Sequence, residues 1–85
     1  MIVEIKGFVN DNWVLLHSVV YSQHEFEQDF GKGSEGKVNF FSYLEFIKDE
    51  IMSSSGTIHL SLRGNSIVIL QPTAFAAISV EGKNR

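Results

Sequence analysis

The chain has no cysteine and a single proline among its 85 residues. The missing thiols exclude disulfides, thiolate metal sites and a cysteine nucleophile. They also suit a reducing compartment, so the expected location is cytoplasmic. Basic residues are few: seven Lys and Arg stand against ten Asp and Glu, for a formal net charge of −3. The few cations are scattered along the chain. Nonspecific nucleic-acid binding, which requires displacement of phosphate counterions, is therefore not expected. No apolar run reaches the roughly 18 residues of a membrane-spanning helix. The opening Met1-Ile2-Val3-Glu4-Ile5-Lys6 lacks the basic region, long apolar stretch and small-residue cleavage site of a signal peptide. The expectation is a chain with no membrane partner.

What is present is apolar and aromatic. Hydrophobic residues make up 44% of the chain and aromatics 12%, with seven Phe. The length suits one domain, expected over 1–82, with 83–85 as a frayed tail. A domain of this size buries only about 60–65% of its unfolded surface, so some of the aromatics are expected to line an interface.

Asn39 to Met52 carries the strongest pattern. Phe40, Leu44, Ile47 and Ile51 recur at helical spacing, with Tyr43 beside them and Glu45, Lys48 and Asp49 opposite. Asn39 is the expected N-cap, with a Ser42/Glu45 capping box as an alternative start one turn later. The run from Ser53 to Gly56 ends the helix. Ile2 to Val9 alternates as a strand, Val3 and Ile5 on one side and Glu4 and Lys6 on the other. Asn10-Asp11-Asn12 is a turn cluster.

Trp13 to Tyr21 reads as a strand that is apolar on both faces. Val14, Leu16 and Val20 line one face; Trp13, Leu15, His17, Val19 and Tyr21 line the other. Ser22 and Glu25 match a capping box, so Ser22 to Phe30 is expected to form a short helix. Thr57 to Arg63 and Ser66 to Gln71 are strands around a Gly64-Asn65 turn. After Pro72 comes a short helical turn, then a last strand ending at Glu81. The order β-β-(α)-α-β-β-(β) predicts an α+β fold: a small antiparallel sheet of four to five strands with one main helix on one face.

Few motifs suggest chemistry. Gly31, Gly33 and Gly36 match G-x-G-x-x-G, and Gly31, Gly36 and Lys37 match the start of a phosphate loop. Val38 stands where that loop needs Ser or Thr, and no strong strand precedes it, so residues 31–37 are expected to be a flexible connector. His17, His24 and His59 show no metal-ligand spacing, and no serine sits in a nucleophile elbow. Neither catalytic residues, a metal site nor a cofactor is expected.

The outer sheet face is the more informative surface. Trp13, Leu15, His17 and Tyr21 are expected beside His59 and Arg63, a mixture enriched at interface hot spots. The expected function is a noncatalytic protein-interaction module, a homodimer through this face. One alternative is a small acidic inhibitor or immunity-type protein holding a basic partner with Glu25, Glu27 and Asp29. Another is a small-ligand-binding protein using the same outer face. The competing arrangement has residues 22–30 fold over that face and complete the core.

Overall fold

A computed structural model describes residues 1–84. Five strands and two α-helices follow the order β1 (Ile2–Val9), β2 (Asn12–Val20), α1 (Gln23–Phe30), α2 (Gly33–Ser53), β3 (Ile58–Leu62), β4 (Ser66–Leu70) and β5 (Ala77–Lys83). A single 3-10 turn, Pro72–Ala74, lies between β4 and β5. The α+β class and the order of elements are as the patterns predict. The strands divide between two antiparallel sheets, β2-β1-β5 and β3-β4.

The first hairpin turns where the local chemistry allows it. Asn10 and Asp11 both hold positive φ, 52° and 64°. That is the left-handed pair a two-residue hairpin turn requires, and Asn and Asp tolerate it better than other non-glycine residues. The β1–β2 register is regular from Ile2↔Val20 to Ile5↔His17, then resumes at Lys6↔Leu15. Leu16 is therefore the extra residue of a β-bulge.

The three-stranded sheet has one covered face and one open face. Val3, Ile5, Val19 and Ile78 point to the covered side and are buried. Helix α2 lies against that side, with Phe40, Leu44, Ile47 and Ile51 all buried on the predicted stripe. Gly82 makes the approach possible: a Cβ there would lie 2.4 Å from the Phe40 ring. The inner face of the β3-β4 hairpin adds Leu60, Leu62, Val68 and Leu70 to the same core.

Helix α1 packs on α2, not on the open sheet face. Its two buried residues, Phe26 and Phe30, meet Phe40 edge to face at centroid distances of 5.2 and 5.1 Å, and Tyr21 meets Phe30 at 5.5 Å. The arrangement in which residues 22–30 close over the outer face is thus not the one adopted. The predicted capping box is present in full. Ser22 Oγ accepts from the Glu25 amide at 3.1 Å, and the Ser22 amide donates to Glu25 Oε1 at 3.2 Å.

Helix α2 starts seven residues earlier than its apolar stripe predicts. Lys32 is the N-cap, so most of the expected glycine connector is helical. Asn39 is not a cap; its side chain reaches back and donates to the Phe30 carbonyl at 2.9 Å. Ser42 and Glu45 lie inside the helix, where every amide already has a partner one turn back. The reason is tertiary. Buried Gly36 sits where a Cβ would lie 2.4 Å from the Gly31 carbonyl oxygen, so the glycine lets α2 pass close to the end of α1.

Two smaller differences lie further on. The β3–β4 turn takes three residues, since Leu62 pairs with Ser66, and positive φ falls on Arg63 and Gly64. Strand β5 runs past Glu81 to Lys83, whose ammonium lies 2.9 Å from Glu4 Oε1 on β1. Lys83 thus belongs to the sheet, and the rest of the expected frayed tail includes Arg85, outside the described residues.

Candidate interaction surfaces

The bulge at Leu16 decides where the predicted face residues go. Cross-strand partners share a face of the sheet. His17 opposes Ile5 and Val19 opposes Val3, so both turn inward, and Tyr21 follows them into the core at 2% exposed. Beyond the bulge the parity switches. Leu15 opposes Lys6 and Trp13 opposes Phe8, so both turn outward. The predicted single face of Trp13, Leu15, His17, Val19 and Tyr21 is therefore split. His17 and Tyr21 are corrected to the inner side; Trp13 and Leu15 remain on the outside, 51% and 52% exposed.

An apolar strip results at one end of the open face. Trp13 packs against Phe8 with ring planes tilted by 58° and centroids 5.2 Å apart, and Leu15 extends the strip along β2; exposed Val20 lies at the far end of the strand, beyond Ser18. Charge occupies the β1–β5 side of the same face. Glu4 Oε1 lies between Lys83 at 2.9 Å and Lys6 at 3.8 Å. The hydrogen bond from Lys83 holds the Glu4 carboxyl below the usual carboxylate range, and Glu4 in turn raises Lys83.

His59 and Arg63 lie on the other sheet, not beside Trp13. His59 opposes Ile69 on the outward face of the β3-β4 hairpin, where Ile67 and Ile69 are exposed. Arg63 joins that hairpin to the rest of the molecule. Its guanidinium donates to the Val20 carbonyl at 2.7 Å and pairs with Glu25 at 2.8 Å.

The acidic segment is partly committed. Glu25 is held by its cap and by Arg63. The Ser22 backbone hydrogen bond, then the Ser22 hydroxyl, then Arg63 keep its carboxyl below the usual range. Glu27 accepts from Gln23 at 3.0 Å. Asp29 is exposed and shares a shallow depression with Tyr43 and Arg63. Burial raises the hydroxyls of Tyr21 and Tyr43; neither is set up to ionise near neutrality.

Among the described residues no three His, Asp or Glu side chains converge on a point that suits a metal. No described helix is long and apolar enough to cross a membrane. The Nε2 of His17 is buried without a hydrogen-bond partner.

One surface escaped the sequence reading. The side of α2 facing away from the core exposes Val38, Phe41, Phe46 and Met52 around Glu45 and Asp49. The spacing i, i+3, i+8, i+14 carries this second stripe. It is masked by the stronger core stripe on the same helix.

No family model matches the chain, and no solved structure matches it. One similar protein is Protein OSCP1 of Mus musculus, 33% identical over 73 residues. That similarity covers 71% of this chain and 19% of OSCP1, so the chain spans about a fifth of the length of the protein it matches.

Proposed function

We propose that the chain is a noncatalytic protein-interaction module that pairs with a second copy of itself through the open sheet face, centred on Trp13 and Leu15. One observation carries the reading: half-exposed Trp13 and Leu15 lie beside Phe8 on an uncovered face of an edge strand. That strand, Asn12–Val20, contains no charged residue and no proline. Lysine, proline and inward charge, three of the means that keep an edge strand from pairing, are absent from β2, whose one such feature is the bulge at Leu16. Full burial of a side chain the size of Leu is worth roughly 1.5–3 kcal/mol. Two such residues on each partner supply a sensible centre for a homodimer.

The basic-partner reading has less behind it, because Glu25 is already engaged by Arg63. The ligand reading loses its constellation, because Trp13 and His59 lie on different sheets. A chain without cysteine suits the cytoplasm, and we place it there as part of this reading.

Light scattering across a dilution series tests the proposal. The native chain is expected at twice 9.6 kDa. Trp13→Ser combined with Leu15→Ser is expected at the single mass with an unchanged circular dichroism spectrum. A native chain that stays monomeric through the micromolar range overturns the proposal, as does a double variant that still dimerises.

A further inference from the structure

The opposite edge of the same sheet borders a groove. Met1 and Tyr21 exchange both backbone hydrogen bonds, at 2.7 and 3.2 Å. Antiparallel pairs alternate, so Val3 and Ile5 direct their backbone groups to β2, while Ile2, Glu4 and Lys6 direct theirs to β5. Opposite those three lie Lys83, Glu81 and Ser79. The intervening Ile78, Val80 and Gly82 therefore turn N–H and C=O away from β1. Strand β5 is an edge, so these groups have no strand partner among the described residues.

Beside this edge runs a cleft of about 490 Å³ between β5 and the flank of α2. Its apolar lining includes Phe40, Phe41, Leu44 and Val80, and the exposed backbone of Gly82 lies in its wall. Lys37 and Lys48 line it from α2 with Glu45 between them, and Glu81, paired with Lys83 at 3.9 Å, lines it from β5. Neither Lys37 nor Lys48 has an ion-pair partner among the described residues. Eleven residues of helix separate them by about 16 Å. That is roughly the length of five residues of extended strand.

We infer that this cleft takes an extended peptide from a partner protein, added to the free edge of β5 as a fourth strand, with alternate apolar side chains in the cleft and an acidic residue near each end. Main-chain bonds to an edge give such a complex its affinity, and the pockets beside the edge give it sequence preference. Charge decides between occupants. The β5 strand of a second copy, Ala77–Lys83, offers a single acidic residue, Glu81, and a lysine after it, whereas a peptide with an acidic residue near each end and an uncharged middle complements Lys37 and Lys48 on either side of Glu45. The surface lies on the edge opposite β2, so it stands or falls independently of dimerisation through Trp13.

A phage-displayed library of random heptapeptides, selected on the intact chain, tests the inference. Enriched sequences are expected to alternate apolar residues between acidic ones. The synthetic versions should perturb and protect the amides of Ile78, Val80 and Gly82 in nuclear magnetic resonance spectra. Lys37→Glu and Lys48→Glu, both at exposed helix positions, should each weaken binding at least about threefold, a typical surface-charge effect. Val80→Pro removes an N–H that faces the free edge, which a fold tolerates better than a loss inside a sheet; it should abolish binding. N-methylation of alternate peptide amides tests the same bonds without altering the protein. No enrichment overturns the inference. So do peptides that bind equally well when N-methylated, which makes the cleft a pocket for small apolar molecules, and peptides that map to Trp13.

Discussion

At the scale of single residues, Ser22 and Glu25 show how a few atoms set both a boundary and a titration. Ser22 closes the first turn of α1 with a reciprocal pair of hydrogen bonds. Its replacement by Ala is expected to cost about 1 kcal/mol in urea unfolding, the usual loss for a helix cap. The Ser22 amide, which Ala retains, and the Ser22 hydroxyl, which Ala lacks, stabilise the charged form of Glu25. A carboxyl held low in the folded state contributes stability above its unfolded value, and that contribution is lost as pH falls through the folded value. In Ser22→Ala the Glu25 midpoint, followed by carbon-detected titration, is expected to move up. The acid-side loss of stability should shrink with it. This part of the chain is legible because a capping box is local: two residues at a fixed spacing carry the whole signal. Trp13 and Tyr21 are the contrary case. Both lie in a segment that is apolar at nearly every position, so alternation cannot say which faces inward. One extra residue, Leu16, reverses the parity between them, and no composition rule places a bulge.

Among the elements, α2 shows where propensity misleads. Glycine lowers helix stability by about 1 kcal/mol relative to Ala, so Gly33 and Gly36 read as a connector. In the fold, Gly36 is buried against the Gly31 carbonyl, and its lack of a side chain is what brings two helices together. Gly36→Ala sets the two effects against each other. Propensity favours the variant by about 1 kcal/mol. The steric overlap with a backbone oxygen costs typically 1–3 kcal/mol, because backbone cannot turn aside as a side chain can. The expected net result is a destabilisation of about 1 kcal/mol, read from the shift of the urea midpoint; a more stable variant would mean that α1 moves away freely. The core stripe of α2 was legible because four residues repeat at helical spacing. Its start was not, because a contact with another helix decides it. The second stripe through Phe41 and Phe46 was obscured by the stronger core stripe and by Glu45 and Asp49 interleaved with it, which suggested an ordinary solvated face.

Over the whole molecule, the division into two sheets matters most. The described chain extends 38 × 22 × 20 Å. Helix α2, with 21 residues, is about 31 Å long and lies along both parts of the core. Strand β1 is flanked on both sides, while β3 and β4 have only each other. A two-stranded hairpin is marginal without packing. Amides of Leu60 and Val68 are therefore expected to exchange with solvent at least about tenfold faster than those of Val3 and Ile5, through local opening of the hairpin. Equal rates would show that the core couples both sheets into one cooperative unit. Arg63→Ala, which removes the bonds to Val20 and Glu25, should widen the difference. Strand identities were legible one by one, but their partition between sheets depends on contacts far apart in sequence. The outward position of the sole tryptophan gives the molecule a peculiar optical character. The indole is half in water in the folded chain and wholly in water once unfolded. In a chain diluted to the single copy its emission colour should change little on denaturation, whereas unfolding of the dimer proposed above, in which Trp13 is covered, should shift it to the red. Any body that settles over Trp13 should shift that emission to the blue. The chain carries a dye that is nearly blind to its own folding and bright to whatever covers it.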